Sequence, residues 1–472
     1  MKQDKYFKDI NNLLKKSHSF KLFTLPSLNT FSTDNRDTDI NKIKNIFNIK
    51  KIFDKTYIIS DKKKFNKSKI VFLNHYLGKK SLEDKDFYYN EIFNYLIKNK
   101  IYFTILMLNK TEQSINEIEK TLKKSKNKIS RIILNNYVSP FGDIKTILNC
   151  LILYLKFKIF KHKMNLTNSE KLIIKNKLRL IDFLRARSSI RISSTIDEIL
   201  KKNINIKNFF FTYEGHAYER ILIYKLKKKN IKSLGYFFSV IRENKHSVFY
   251  KFPKKLIPDT TLVTGKVIKN FFIKNGFHKK SISILGSGRS YAKKEFVIEK
   301  FYKKKINLLF CPEGIYPDCV ALYNLASKVV DQNKDIGISI RFHPEINIKK
   351  VLNDPKINLK NFKKITISNK QLDDDLKYSN IIIYSGSSMC FNGIFSGVIP
   401  VNYIYKANLK LDPLFQVNKL KSYNEKQLVN LIKRIQNKKN KLYFKKYMNK
   451  LLNYAENYYQ KINKNEIISI IK

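Results

Sequence analysis

The chain has 472 residues, enough for two or three ordinary domains with a substantial core. Hydrophobic residues make up 43% of it, including 34 Phe and 28 Tyr, which excludes a disordered basic tail. Lys and Arg number 94 against 38 Asp and Glu, so the formal net charge is +56. Lysine is scattered along the whole length without an Arg-rich block. We therefore favour a general compositional bias over a dedicated nucleic-acid surface, and expect weak attraction to anionic membranes.

The four cysteines form no CxxC pair, and their spacing fits neither a zinc site nor a disulfide framework; they are Cys150, Cys311, Cys319 and Cys390. Reduced thiols and a cytoplasmic location are expected, since the N-terminus also lacks the apolar segment of a secretory signal. The most apolar long segment, 147–160, is interrupted by Asn149, Lys156 and Lys158. It is shorter than the roughly 20 apolar residues of a membrane span, so a buried or interfacial helix is predicted.

Strand-like and helix-like patterns alternate from about residue 69 onward, which is typical of a parallel sheet covered by helices. In the first half, strands are predicted at 70–73, 102–108, 129–134, 208–212, 231–237, 260–264 and 281–285. Helices are predicted at 86–98, 112–124, 217–229 and 266–275, with a helical insert of about three helices at about 143–202. The first sixty residues show a weak pattern, with short strands near 21–25 and 56–59.

A Lys- and Tyr-rich linker at about 291–305 leads into a second half of the same kind. Its predicted strands are 306–310, 336–342, 365–368 and 381–384, and its predicted helices are 318–330, 372–378 and 389–396, followed by amphipathic helices at 425–472. We therefore predict an α/β protein with two Rossmann-like parallel-sheet domains that face a cleft, and with C-terminal helices. The predicted domains are 1–295 and 296–472, and the cleft between them is the expected binding site.

The segment 213–220 reads YEGHAYER, follows the Phe-rich strand 208–212 and opens a helix. Ligands of open α/β sheets sit outside the carboxyl ends of strands, so Glu214 and His216 should face the cleft. Either side chain has the chemistry to remove a proton from an acceptor hydroxyl. Glu219 and Arg220 are further candidates for substrate contact. The competing interpretation is that the two glutamates complement the helix N-terminus and that Arg220 pairs locally.

Two glycine-containing turns are candidates for contact with a phosphorylated ligand. The GSGR sequence at 286–289 offers Arg289 as a cation near the domain junction, and the FCPEG sequence at 310–314 ends a strand. Gly314 permits close backbone approach, and Glu313 can accept a hydrogen bond from a ribose hydroxyl. A flexible linker and a plain loop are the competing interpretations. His246 is a further cleft candidate.

Arg341-Phe342-His343-Pro344 closes the predicted strand 336–342. Side chains alternate along a strand, so Arg341 and His343 should share one face and grip a phosphate and a ribose or base edge. Pro344 stops the strand. A surface arginine beside a histidine satisfied by a backbone carbonyl is the competing interpretation.

Ser385-Gly386-Ser387-Ser388 lies between a buried strand and a helix. Helix N-termini bind anions through free N–H groups, Gly386 permits close approach, and Ser387 and Ser388 add hydroxyl donors. An ordinary serine N-cap is the competing interpretation, and it is compatible with phosphate binding. Gly397 and Pro400 are interpreted as structural.

Neither a metal site nor a cofactor is predicted. The run Asp373-Asp374-Asp375 falls where a helix begins, so complementation of the helix dipole explains it. The sequence has no Walker A motif, no nucleophile elbow and no GxGxxG fingerprint.

The second half resembles the donor domain of GT-B-fold glycosyltransferases of bacterial surface-carbohydrate pathways, such as sialyltransferases, polysialyltransferases and capsule Kdo transferases. The order of Arg341-Phe342-His343-Pro344, the serine cluster 385–388 and Gly397-Val398-Ile399-Pro400 matches their HP and paired-serine motifs. In that family these motifs hold the cytidine nucleotide, and an acidic-acidic-Gly motif supplies the general base. Here Tyr213-Glu214-Gly215 is the nearest match, with tyrosine in place of the first acid. The resemblance covers roughly 208–413.

The resemblance implies an inverting, metal-independent glycosyltransferase of capsule or lipopolysaccharide biosynthesis, acting at the inner face of the membrane. It would move a sugar from a nucleotide-activated donor, with a CMP-sugar favoured, to a cell-surface glycan or lipid-linked acceptor. Residues 1–295 would then bind the acceptor and 296–472 the donor nucleotide. One alternative is a CDP-polyol phosphotransferase of the teichoic-acid type, which shares both motifs. The other is a basic nucleic-acid-binding protein. The absence of Arg-rich and aromatic RNA motifs argues against the second alternative.

Overall fold

A computed structural model describes residues 3–16, 55–83, 86, 88–111, 113–124, 129–135, 140–243, 246–288, 296, 299, 301, 305–332, 335–344, 346–405 and 411–471. Within these ranges the chain forms two β-sheets, each covered by helices. This architecture confirms the predicted α/β fold with two parallel-sheet halves.

The first sheet has the strand order β1-β4-β3-β2-β5-β6-β7-β8 and is parallel except for β1. Its strands are β1 (Tyr57–Ile59), β2 (Ile70–Tyr76), β3 (Phe103–Asn109), β4 (Ser130–Leu134), β5 (Asn208–Thr212), β6 (Lys232–Phe237), β7 (Thr260–Val263) and β8 (Ile282–Ile284). Every residue of β3, β4 and β5 is buried, as expected for strands covered on both faces. The chain progresses outward on one side of β2 and then returns to start β5 on the other side.

The second sheet repeats this plan in six parallel strands with the order β11-β10-β9-β12-β13-β14. They are β9 (Ile306–Cys311), β10 (Ile336–Ile340), β11 (Ile365–Ile367), β12 (Ile381–Tyr384), β13 (Ile399–Tyr403) and β14 (Lys421–Ser422). Here the order reverses between β9 and β12. Each sheet therefore has one switch point, where adjacent strands lead to opposite sides of the sheet.

The α-helices of the first half are Gln3–Lys16, Lys62–Lys67, Asn90–Lys98, Ile115–Lys124, Pro140–His162, Asn168–Lys177, Leu180–Lys201, Ala217–Lys228 and Lys266–Lys274. Those of the second half are Tyr316–Gln332, Ile348–Leu352, Leu372–Tyr378, Met389–Phe395, Glu425–Gln436, Lys441–Tyr458 and Lys464–Ile471. Three helices occupy 140–201, as predicted. The sequence analysis did not predict Gln3–Lys16, whose Ile10 and Leu13 pack in one cluster with Phe157 and Phe183 of that block. The predicted strand at 21–25 lies outside the described residues.

The C-terminal segment crosses back to the first sheet and fastens the two halves together. The Tyr458 hydroxyl accepts a hydrogen bond from the Ile241 backbone at 2.6 Å, and its carbonyl accepts one from the Thr264 hydroxyl at 2.8 Å. Gln460 then exchanges backbone hydrogen bonds with Thr264 and Ser287 at 2.9 and 2.8 Å.

Close approach at this crossing requires a residue without a side chain. A Cβ at Gly265 would lie 2.3 Å from the Asn457 carbonyl oxygen. Further on, the helix Lys464–Ile471 places Ile467 and Ile470 in a core cluster with Phe72 of the first sheet. The predicted boundary at 295/296 falls largely among residues outside the described ranges and stays a prediction.

The four cysteines are buried and form no disulfide in the described structure. Among the described helices, none combines the length and the apolar character that crossing a bilayer requires.

Candidate functional site

The two switch points carry the polar side chains that the sequence singled out. In open α/β sheets the crevice at such a point is where ligands bind. The carboxyl ends of β2 and β5 meet at the first switch point and carry His75 and Glu214. Those of β9 and β12 meet at the second and carry Glu313 and Gly386.

A buried carboxylate shapes the turn after β5. Gly215 has a φ of +76°, a conformation that glycine adopts without strain. The Glu219 carboxylate accepts hydrogen bonds from the backbone N–H groups of Glu214, Gly215 and His216, at 3.1, 2.8 and 3.0 Å. The Arg220 guanidinium donates to the Gly215 carbonyl and lies 4.8 Å from the ring centroid of Phe252.

Glu219 and Arg220 are 0% and 1% exposed, so they hold the turn and do not reach a ligand. The local interpretation of both residues is therefore confirmed. Burial raises the pKa of Glu219 to about 7, although the neighbouring His216 and the N–H donors oppose the rise. Burial likewise lowers the pKa of Arg220 to about 10, which leaves the guanidinium charged at neutral pH.

Glu214 and His216 form a pair at the mouth of this turn. The His216 Nε2 lies 3.1 Å from a Glu214 carboxylate oxygen, and the other oxygen accepts a hydrogen bond from the Ser239 hydroxyl at the end of β6. Burial favours the neutral carboxyl group, but the hydrogen bonds from His216 and Ser239 outweigh it and lower the pKa of Glu214 to about 2. Burial also disfavours the imidazolium, but Glu214 and Glu219 prevail and raise the pKa of His216. The pair is therefore a carboxylate that holds an imidazole poised to exchange a proton.

Two further histidines surround this pair. Burial lowers the pKa of His75 to about 4, with a smaller contribution from the Lys110 cation. Burial lowers the pKa of His246 to about 4 as well, against the attraction of Glu214. His246 begins the short 3-10 helix Ser247–Phe249, where its Nδ1 accepts a hydrogen bond from the Val248 N–H at 3.4 Å. Both rings are therefore neutral at physiological pH.

Glu313 joins the second switch point to the first half of the chain. One of its carboxylate oxygens forms an ion pair with Arg242. Arg242 lies in the loop after β6, 71 residues before Glu313 in the sequence. The other oxygen, Oε2, is buried without a hydrogen-bond partner in the described structure. It lies 2.3 Å from the position that a Cβ at Gly386 would occupy, so a larger residue there would require the Glu313 side chain to move.

The loops around Glu313 are held by Asp318. The Asp318 carboxylate accepts hydrogen bonds from the Glu313 N–H and from the Ser385 hydroxyl, both at 2.6 Å. Burial raises the pKa of Asp318 to about 7, against those two hydrogen bonds. The FCPEG turn and the serine cluster are thereby fixed side by side.

Several predicted residues line this second switch point. The Cα of Gly314 faces the imidazole of His343, since a Cβ there would lie 3.2 Å from the ring. His343 and Pro344 are exposed, and Phe342 between Arg341 and His343 is buried, as strand alternation predicted.

Ser387 and Ser388 are half-buried. Ser387 accepts a hydrogen bond from the Met389 N–H at 3.3 Å, whereas Ser388 begins the helix Met389–Phe395 without a side-chain cap. The Ser388 hydroxyl is therefore not occupied by capping.

Arg341 is engaged in the fold. Its Nη1 forms an ion pair with Asp375 at 2.9 Å and donates to the Lys370 carbonyl at 2.7 Å. The same carboxylate accepts hydrogen bonds from the Ser368 hydroxyl at 2.6 and 2.7 Å. Asp375 therefore binds Arg341 and Ser368 in addition to complementing a helix N-terminus. The ion pair directs Arg341 towards the edge strand β11. Arg289 lies outside the described residues.

The sequence analysis missed His75, Ser239 and Asp318 and did not recognise Arg242 as a partner of Glu313. His75 and Ser239 each follow an apolar run, and the rule that found Glu214 could have found them. The observed strand β2 extends three residues beyond its predicted end at Leu73, so the predicted strand end did not indicate His75 as a candidate. Among the described residues, no cluster of potential metal ligands is present.

The depressed pKa of His246 predicts a specific dependence of stability on pH. Between pH 6.5 and about 4 the unfolded chain binds a proton here that the folded chain excludes, so the free energy of unfolding falls as the pH is lowered through this window. His246→Asn keeps a residue suited to capping and should reduce that fall by roughly 1–3 kcal/mol. Chemical denaturation at neutral pH and near the lower end of the window measures it.

His278→Asn is the matched control, because the exposed His278 ring caps its short helix in the same manner, through the Lys280 N–H at 3.3 Å. An unchanged pH dependence in His246→Asn would contradict the buried neutral state of His246.

No family model matches this chain, and no curated protein matches it significantly. Solved structures with a similar fold include a putative UDP-N-acetylglucosamine 2-epimerase from Listeria monocytogenes, with 10% identity over 86% of this chain and 96% of that chain and a TM-score of 0.48. Another is Anabaena HepE in complex with UDP and glucose, with 7% identity over 86% and 97% and a TM-score of 0.46. A third is S. aureus MnaA with UDP, with 10% identity over 86% and 95% and a TM-score of 0.45. These similarities concern the overall fold.

Proposed function

We propose that the chain is an inverting glycosyltransferase that uses a nucleotide-activated sugar without a metal ion. The observation that carries this proposal is the direct connection between the two switch points. Ser239, in the loop that follows β6, donates a hydrogen bond to Glu214 at the first, and Arg242 of the same loop pairs with Glu313 at the second. In this proposal the proton acceptor and the residues that bind the nucleotide border the same space.

The second switch point is proposed to bind the donor nucleotide. The unpartnered Oε2 of Glu313 would accept a hydrogen bond from a ribose hydroxyl, which satisfies a buried acceptor. Gly314 and Gly386 let His343 and Glu313 lie close to these two turns, because a side chain at either glycine would meet them. The hydroxyls of Ser387 and Ser388 and the imidazole of His343 are the donors proposed for the phosphate.

The first switch point is proposed to activate the acceptor. The acceptor oxygen attacks the anomeric carbon, its proton passes to His216, and the bond between that carbon and the phosphate oxygen breaks. The phosphate leaves with the bonding electrons, and its growing charge is stabilised by His343 and the serine hydroxyls. His216 suits the role of proton acceptor better than Glu214, because a base works best with a pKa near the working pH.

In this proposal Glu214 orients the His216 ring and stabilises the imidazolium that forms. Arg341, which directly follows β10, positions the loop of His343 and Pro344 through Asp375 and is not assigned a phosphate contact. Arg289 remains a predicted phosphate contact. The favoured donor is a CMP-sugar and the acceptor a surface glycan or a lipid-linked sugar.

Substitution of the proton acceptor is expected to affect turnover without affecting donor binding. His216→Gln should lower kcat by roughly 10²–10⁴-fold at unchanged donor KM, because the group that takes the proton is lost. In the wild type, kcat should rise with pH through the raised pKa of His216, above its ordinary value of 6.5. Glu214→Gln should move this midpoint to lower pH, since the partner that stabilises the imidazolium is gone. Steady-state kinetics across the pH range measure both effects.

His162→Gln, at an exposed histidine on another helix, is the control and should leave the kinetics unchanged. Wild-type turnover in His216→Gln with an unmoved pH midpoint would exclude the imidazole from the reaction.

Product analysis separates sugar transfer from polyol-phosphate transfer. A glycosyltransferase leaves both phosphates or the single phosphate on the nucleotide, so the elongated acceptor should contain no new phosphorus. Mass spectrometry of the product, with ³¹P detection, is the measurement. A phosphodiester in the product would establish the phosphotransferase instead.

A further inference from the structure

The helix Pro140–His162 exposes a continuous row of large aliphatic side chains. Their exposed fractions are 53% for Ile144, 52% for Leu148, 49% for Ile152, 58% for Leu155 and 67% for Ile159. At about 3.6 residues per turn these five fall within an arc of roughly 80° and extend over about 22 Å of helix. We call them the aliphatic stripe.

The opposite face of the same helix is also apolar, and it is the face that the fold uses. Cys150 and Phe157 are 0% and 1% exposed, and Phe157 packs in one cluster with Phe183 and Ile173 of the adjoining helices. A surface helix of a globular protein normally has one apolar face towards the core and a polar face towards water. Within the described ranges, the fold therefore uses the opposite face of this helix and leaves the aliphatic stripe exposed.

Lysines flank the stripe on both sides. Lys145, Lys156 and Lys158 are exposed, and at helical spacing the first two lie on one border and Lys158 on the other. The only acidic residue in the helix sequence is Asp143, and the chain as a whole carries a formal charge of +56. An exposed apolar row bordered by cations matches a helix that lies in the interface of a membrane with anionic lipids.

We infer that the chain docks on anionic lipid bilayers through the aliphatic stripe, with the helix lying in the plane of the interface and the lysines at the headgroups. The inference is independent of the proposed transfer reaction. It has a consequence for the site, because the cluster beneath the helix includes Phe252, against which Arg220 packs. Arg220 holds the turn of Glu214 and His216, so docking would hold that turn close to the membrane.

Co-sedimentation with vesicles of phosphatidylglycerol and phosphatidylcholine in equal parts tests the inference. The full chain should bind these vesicles, and binding should weaken with salt and on vesicles of phosphatidylcholine alone. The triple variant Leu148→Gln, Ile152→Gln, Leu155→Gln should bind at least about tenfold more weakly. Glutamine forms helices well and the three positions are about half exposed, so an unchanged thermal melt is expected.

The matched control applies the same chemistry to exposed aliphatic residues elsewhere, as Ile204→Gln, Leu359→Gln, Leu442→Gln, and should bind as the wild type does. A second variant, Lys145→Glu, Lys156→Glu, Lys158→Glu, tests the flanking charge and should also release the vesicles. Wild-type binding by the stripe variant, or no binding by the wild type, would overturn the inference. A wild-type dimer that the stripe variant converts to a monomer would overturn it too, by assigning the stripe to a second copy of the chain.

Discussion

The crossing of the C-terminal segment onto the first sheet is the constraint on which the site depends. Tyr458 accepts hydrogen bonds from Ile241 and Thr264, and Gln460 accepts one from Ser287 and donates one to Thr264; these bonds fix the second half against loops that follow β6, β7 and β8. Because Ile241 precedes Arg242 directly, the same contact sets the position of the cation that pairs with Glu313. The Arg242–Glu313 contact between the two switch points therefore depends on this crossing.

Within the site, burial and hydrogen bonding divide the ionisable groups into separate states. Glu219 is buried and satisfied by three backbone N–H groups, so it shapes the turn. Glu214 has the same chemistry but lies at the opening with His216 and Ser239 as donors, so it remains ionised and sustains the charge of the imidazolium. For His75 and His246, burial outweighs the attraction of Glu214, lowers the pKa of each ring and keeps both rings neutral. Two carboxylates five residues apart thus acquire different ionisation states from their surroundings alone.

Local sequence patterns were sufficient for most strands, because buried parallel strands are continuous apolar runs; β5 and β12 begin and end where predicted. Because ligands bind beyond the carboxyl ends of such strands, the predicted strand ends also indicated Glu214 and Gly386 as candidate site residues. Partners distant in sequence were beyond such patterns. The Arg341–Asp375 and Arg242–Glu313 pairs join residues 34 and 71 positions apart, and only the packed fold brings them together. The prediction that Arg341 faces a ligand was made from strand alternation alone. It could not include Asp375, which lies 34 residues away in sequence and holds the Arg341 guanidinium.

Thermal unfolding of the full chain with CMP, CDP, UDP and GDP in turn measures whether the second switch point binds a nucleotide. A ligand that binds the folded state alone raises the melting temperature, by several degrees at about a hundredfold excess over its Kd. We expect such a rise in melting temperature with a cytidine nucleotide. The rise should be lost in Glu313→Gln and retained in the surface control Asp331→Asn. The absence of a rise with any of the four nucleotides, or an equal rise in Glu313→Gln, would contradict nucleotide binding at the second switch point.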